Sequence, residues 1–218
     1  MADQAVSRTD FDLSLYLIAD VDGAGSRDLV AITRAALAGG ATLVQLRAKT
    51  MQGGAMVGLA RALLAETRAA GRRLIVNDRI DVCLAAGADG VHVGQDDIAP
   101  ADARRLLGPE LILGLTASSE TEMRRFDPVL VDYVGIGPAY ATTSKDTPKP
   151  ILGPDGVGRL ARTLPCPAVG IGGIGPGRAG QVIAAGAGGV AVIGALCAAP
   201  DPAAAARQLL QEITEARR

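Results

Sequence analysis

The sequence predicts a single closed (β/α)8 barrel, and three observations carry that prediction. Short apolar runs rich in β-branched residues recur eight times, helical periodicities fall between them, and the glycine and proline clusters sit at the joints. Near-continuous apolar strands joined by helices call for parallel pairing and right-handed crossovers, and eight such units in about 200 residues match a closed barrel. An open doubly wound sheet satisfies the same alternation and is the structural alternative.

The first strand is expected at LYLIA (15–19). RDLVAITRAALAGG (27–40) follows with helical spacing and ends on glycines able to cap in the left-handed conformation. TLVQL (42–46) leads to the helical GLARALLAETRAAG (58–71), and RLIVN (73–77) to DVCLAAGAD (81–89). DGVHV (89–93) precedes PADARRLLG (100–108). LILGL (111–115) and YVGIG (133–137) supply the fifth and sixth strands. PAVGIGG (167–173) is followed by PGRAGQVIAAGA (176–187), and GVAVIG (189–194) by a terminal helix over roughly DPAAAARQLLQEITEA (201–216). No linker interrupts the series, so residues 1–218 are expected to form one barrel with a short polar N-terminal extension over about 1–12.

With 49% hydrophobic and 21% charged residues evenly spread, the chain can bury a sizeable core and has no composition favouring disorder. Lys and Arg number 22 against 23 Asp and Glu, a net charge of -1 that gives no field to recruit nucleic acid or an anionic membrane. The opening MADQAVSRTDFD is too polar and acidic for a signal or transit peptide, and no apolar run approaches a bilayer span, so the cytoplasm is the expected location. Cys83, Cys166 and Cys197 are odd in number and far apart, which disfavours a disulfide framework or a zinc site and suits small core residues. A homo-oligomer is compatible with all of this.

A barrel carries its active residues on the loops at the carboxyl ends of its strands, and polar groups collect there. Strand two leads into Gln45, Arg47 and Lys49, strand three into Asn77 and Asp78, strand four into His92, Gln95 and Asp97, and strand five into Thr116. Gln45, Arg47 and Lys49 alternate, so in an extended chain they project to one side, and two cations with an amide suit a diphosphate; a salt-bridged strand end is the plainer alternative. Asp78 and Asp97, near that basic cluster, fit magnesium, which takes one or two protein carboxylates and completes its shell with water and phosphate. Asp78 also stands where it can cap the helix opening at NDRIDV. His92, the only histidine, reads as a hydrogen-bonded core residue on an apolar run, and nothing beside it supports zinc chemistry.

GIGGIG (170–175) satisfies G-x-G-x-x-G, but Pro176 follows it and the next acid is Asp201, too far away for a dinucleotide site. Bare backbone amides cradling a phosphate together with Gly194 explain it better, and a turn without a ligand is the alternative. GPAYATTSK is no P-loop, because the glycine before the lysine is missing. Thr142, Thr143 and Ser144 can nonetheless hold a phosphate, with Lys145 adding a mobile charge.

Taken together, QLRAK, VNDR, DGVHVGQDD, ILGLTAS, YVGIGPAYATTSKD, VGIGGI and GVAVIGA, in that order across nearly the whole chain, resemble the thiamine phosphate synthase family. The resemblance implies condensation of a pyrimidine methyl diphosphate with a thiazole phosphate, or its carboxylated form, to give thiamine phosphate and pyrophosphate. It further implies that Gln45, Arg47, Lys49, Asn77, Thr116 and Lys145 hold the pyrimidine diphosphate, with Arg47, Lys49 and Lys145 acting in catalysis. Asp78 and Asp97 would bind Mg2+, and Thr142, Thr143, Ser144, Gly173, Ile193 and Gly194 the thiazole phosphate. Thr116 stands where the family commonly has serine, Ser144 where it has threonine, and Gly194 where it has serine, which puts phosphate affinity more in question than reaction class. A related thiazole tautomerase is the nearest alternative, but it is expected to carry a histidine in the loop after strand five, which here reads GLTASSE. Another sugar-phosphate barrel enzyme and a non-catalytic phosphate-ligand sensor are the remaining alternatives.

Overall fold

Eight parallel strands close on themselves in sequence order in a computed structural model that describes residues 8, 10–124, 127–142 and 150–218. They are β1 Leu15–Asp20, β2 Leu43–Arg47, β3 Arg73–Asn77, β4 Gly90–Val93, β5 Ile112–Thr116, β6 Tyr133–Ile136, β7 Ala168–Ile171 and β8 Gly189–Val192. The seam is β1 against β8, with Leu15 opposite Val190 and Leu17 opposite Val192. Each expected strand is present to within two residues at either end, and the open sheet is excluded by the closed pairing.

Around the barrel run α1 Val21–Ala24, α2 Leu29–Ala38, α3 Gly53–Ala69, α4 Ile80–Ala86, α5 Pro100–Leu107, α6 Glu120–Arg124, α7 Gly153–Ala161, α8 Ala179–Ala184, α9 Gly194–Cys197 and α10 Pro202–Ala216. Side chains capture free amides at three of the N-termini, and at the start of α6 it is Ser119 that accepts from Glu122 at 3.2 Å. Asp28 accepts from Val30 and Ala31 at the start of α2, and Asp201 accepts from Ala204 at the start of α10. The five-residue α6 is too short to show a helical period, and three glycines in α7 make it a poor helix former by composition, so the sequence marks neither. Among the described residues, no helix is long and apolar enough to cross a membrane.

Strand alternation divides the core into two layers. Tyr16, Ile18, Gln45, Val169, Ile171 and Ala191 border a small space inside the barrel, so their neighbours Leu17, Val44, Leu46 and Val190 point outward beneath the helices. The amino-terminal end is closed by structural polarity. Asp89 accepts from the Leu74 amide at 2.7 Å, Asp132 from the Leu113 amide at 2.8 Å, and Arg104 pairs with Asp132 at 2.8 Å. The polar extension is tied down where it meets this end: Phe11 packs edge-on against Tyr133 at 5.7 Å, and Arg8 reaches Asp132 at 3.2 Å. That leaves the carboxyl-terminal end open for a site.

Candidate active site

At the carboxyl-terminal end lies a cavity of about 880 Å³, within the range of small-molecule sites. Its floor begins with charged residues at the tops of β1 and β2. Asp20 and Arg47 are register partners at these strand ends, and Arg47 donates through Nη1 to Asp20 at 2.9 Å. The carboxylate is 3% exposed and the guanidinium 13%, so water screens the pair poorly. One guanidinium donor is held while the side chain still lines the cavity, leaving donors for an anion there.

Beyond β3 and β4 stand the two acids. Lys49 donates to Asp78, and Asp78 and Asp97 lie in hydrogen-bonding contact. Burial, opposed by Lys49 and assisted by Asp97, raises Asp78 above the usual carboxylate range. Burial also acts to raise Asp97, but the hydrogen bonds from Asp78 and from the Gly94 amide, the latter at 2.7 Å, bring it lower instead. Two carboxyl groups this close share a proton unless a cation replaces it, and such a donor set suits a magnesium ion that keeps waters and takes phosphate oxygens. Among the described residues no third His, Cys, Asp or Glu joins them to make a larger metal cluster. Asp78 has a φ of 61°, uncommon outside glycine but tolerated by aspartate, in a turn where its amide donates to His92 O at 2.8 Å. It does not cap α4: the residue before that helix is Arg79, which makes no side-chain capping bond. The capping alternative is therefore overturned.

Loops after β7 and β8 lie four strands round the barrel from β3 and β4, which places them on the opposite rim. Gly172 to Gly175 and Ile193 to Ala195 line the cavity there. At Gly173 a φ of 64° coincides with close approach: a Cβ would lie 2.4 Å from Ala141 O and 2.8 Å from Tyr140 Cβ. The first residues after β6 run alongside this loop, with Ala139 donating to Ile171 O at 2.8 Å and Tyr140 to Gly172 O at 2.9 Å. Arg178 clamps both loops, its guanidinium 4.8 Å from the Tyr140 ring centroid and donating to Gly173 O at 2.8 Å.

Of the residues singled out in the sequence, Arg47, Lys49, Asn77, Asp78, Asp97, Thr116, Thr142, Gly173, Ile193 and Gly194 line this one cavity. Thr143, Ser144 and Lys145 lie outside the described residues. Gln45 does not line the cavity; it is buried below it and donates to the Tyr16 hydroxyl at 2.7 Å. His92 is buried with Nδ1 3.0 Å from Tyr133 Oη and Nε2 2.8 Å from Thr116 Oγ1, the hydrogen-bonded arrangement expected of it, and it borders the cavity as well. Asp20 and Arg178 join the site without standing out in the sequence. An acid closing the first apolar run was the available signal for one, and a cation inside the glycine-rich loop for the other.

Known proteins match the chain over most of its length. The family model described as thiamine monophosphate synthase matches residues 15–196. A thiamine-phosphate synthase of Moorella thermoacetica is 46% identical over 203 residues, covering 93% of this chain and 97% of the relative. One from Xanthobacter autotrophicus is 48% identical over 207 residues, covering 95% and 98%. Among solved structures, a thiamine phosphate pyrophosphorylase from Pyrococcus furiosus superposes with a TM-score of 0.84 at 32% identity, covering 94% of this chain and 96% of that one.

Proposed function

The chain belongs to the thiamine monophosphate synthase family, enzymes that transfer a pyrimidine moiety with release of pyrophosphate, and from that premise we propose how its cavity performs the condensation. The pyrimidine methyl diphosphate binds on the side of β2 to β5, and the thiazole phosphate against the glycine loops of β7 and β8. One observation carries the assignment: Arg47, Lys49 and the Asp78–Asp97 pair border the same cavity as the bare glycine loops, with the acid pair on the rim opposite those loops. A reaction joining two anionic fragments needs two such subsites.

Asp78 and Asp97 would hold Mg2+, which when bound supplies charge neutralisation to the pyrophosphate oxygens. Arg47 and Lys49 complete that neutralisation from β2, Arg47 kept in orientation by Asp20. Lys145, which follows Thr142, Thr143 and Ser144 in sequence, serves the departing pyrophosphate, while those three serve the thiazole phosphate. Asn77 and Thr116 fix the pyrimidine, and Gln45 supports it from the layer below. Gly173, Ile193 and Gly194 offer backbone amides to the thiazole phosphate, so the loss of a hydroxyl at 194 removes one donor without removing the cradle. No side-chain nucleophile is required: the pyrimidine carbon loses pyrophosphate to leave a carbocation delocalised into the ring, and the thiazole nitrogen captures it. The protein's own contribution is alignment of the two fragments and stabilisation of the leaving group.

Asp78→Ala and Lys145→Ala are expected to lose nearly all thiamine phosphate formation while retaining the parent circular dichroism spectrum. Formation at the parent rate in either variant would refute the assignment of that residue.

A further inference from the structure

Beneath the cavity, polar side chains from five strands form one continuous buried chain. Gln45 Nε2 donates to Tyr16 Oη at 2.7 Å, Tyr16 Oη lies 2.8 Å from Tyr133 Oη, Tyr133 Oη lies 3.0 Å from His92 Nδ1, and His92 Nε2 lies 2.8 Å from Thr116 Oγ1. Tyr16 is 1% exposed, Tyr133 0%, Gln45 4% and His92 8%, so water does not complete these bonds. The fold makes room for the chain at Gly114, the register partner of both His92 and Tyr133. A Cβ there would lie 2.4 Å from Tyr133 Oη and 2.5 Å from His92 Nδ1.

Counting protons gives the chain a direction. Tyr16 oxygen accepts from the Gln45 amide, so its own proton goes to Tyr133. The Gln45 side chain is a donor to Tyr133 as well, so the acceptor for the Tyr133 proton is the Nδ1 lone pair, and an imidazole nitrogen is a better acceptor than a phenol oxygen. With Nδ1 unprotonated, the neutral ring carries its proton on Nε2, aimed at Thr116. Thr116 oxygen accepts, and its hydroxyl proton is left for whatever occupies the cavity that this residue lines. Burial raises both phenols well above their ordinary value, so each keeps the proton this count requires.

We propose that the one-way chain Gln45, Tyr16, Tyr133, His92, Thr116 fixes His92 as the Nε2–H tautomer and makes Thr116 a hydrogen-bond donor to an acceptor atom, a ring nitrogen, of the pyrimidine substrate. This rests on the assignment of Thr116 to the pyrimidine subsite. Tyr16, Tyr133 and His92 are then positioning residues that select a ring by its acceptor and act only through Thr116. A reversed Gln45 amide would reverse every bond, and Thr116 would offer a lone pair in place of a proton.

Because His92 is the only histidine, 15N-histidine labelling yields a single imidazole whose two-bond proton–nitrogen correlations reveal which nitrogen bears the proton. Substrate-free parent protein near neutral pH is expected to show the Nε2–H form; an Nδ1–H or doubly protonated ring would overturn the proposal, whether or not the protein makes thiamine phosphate. Tyr133→Phe is then expected to lose the tautomer preference and to raise KM for the pyrimidine diphosphate about fivefold, the scale of one net hydrogen bond, with KM for the thiazole phosphate unchanged. An Nε2–H ring with unchanged KM in that variant would also overturn it, and if the variant does not fold the parent spectrum still decides. Parent protein that shows the expected tautomer but forms no thiamine phosphate would refute the functional assignment instead.

Discussion

Two glycine-to-alanine substitutions are expected to move stability in opposite directions. At Gly114 the new methyl would sit 2.2 Å from Tyr133 Cζ, 2.4 Å from its hydroxyl and 2.5 Å from His92 Nδ1, where non-bonded carbons want about 3.5 Å or more. Tyr133 cannot yield easily, because Phe11 and Tyr16 pack edge-on against its ring at 5.7 and 5.8 Å. Overpacking of this kind costs about 1–3 kcal/mol, and separating Tyr133 from His92 leaves buried polar groups unpaired at about 1–3 kcal/mol more. Gly114→Ala should therefore lose about 2–6 kcal/mol, a large part of an ordinary folding free energy. Gly58, by contrast, is exposed in the middle of α3, and a methyl added there would meet nothing within 4 Å, so Gly58→Ala should gain about 0.5–1 kcal/mol from helix propensity and reduced chain entropy. For a chain of this length, the melting temperature should fall by about 4–24 °C in the first variant and rise by about 1–4 °C in the second. Thermal unfolding followed by circular dichroism measures both. A Gly114→Ala protein melting within about 2 °C of the parent would refute the close packing of Tyr133 and His92 across that strand.

Arg47→Lys keeps the charge but not the planar fork, and a single ammonium cannot serve Asp20 and an anion as the guanidinium can. KM for the pyrimidine diphosphate should rise about 10- to 100-fold, the scale of one charge-assisted hydrogen bond, while KM for the thiazole phosphate holds; equal changes in both would contradict the division into two subsites. Burial raises the Cys83 thiol to about 12 and the Cys166 thiol to about 11, and it raises Cys197 too, so alkylating reagents at neutral pH should label the native protein slowly and the unfolded protein fully. Fast labelling of Cys83 in native protein would be inconsistent with its burial. These raised values mean that the native state holds the thiol protons more tightly than the unfolded chain. Their contribution to stability is complete below the ordinary thiol value of 9.0 and is lost as pH rises toward the folded values, so melting temperature should decline across that alkaline window. A melting temperature unchanged from about pH 9 to 11 would speak against it.

Alternation and apolarity in runs such as RLIVN and GVAVIG made the strands legible, because a parallel barrel buries both faces of each strand. The same cue placed Arg47, Lys49, Asp78 and Asp97 on one rim, where the structure brings them together. It gave side but not depth. Gln45 shares a face with Arg47, yet two residues earlier on a strand means about 6–7 Å lower, which is enough to take it out of the cavity and into the layer beneath. Tyr16 and Tyr133 look in sequence like ordinary apolar strand residues, since a phenol reveals its polar role only when its hydroxyl finds a partner across the barrel. Asp20 was hidden for a related reason: its importance lies in Arg47, its register partner 27 residues away. Arg178 works through contacts between two loops, and no periodicity records those.

The central claim, that one cavity aligns a pyrimidine diphosphate and a thiazole phosphate and stabilises the departing pyrophosphate, meets its most direct test in a pyrophosphate-release assay with purified protein, omitting each component in turn. Release is expected to require both substrates and Mg2+ and to match thiamine phosphate formation one for one. Release that proceeds at full rate without the thiazole phosphate, or after complete removal of divalent cations, would contradict it.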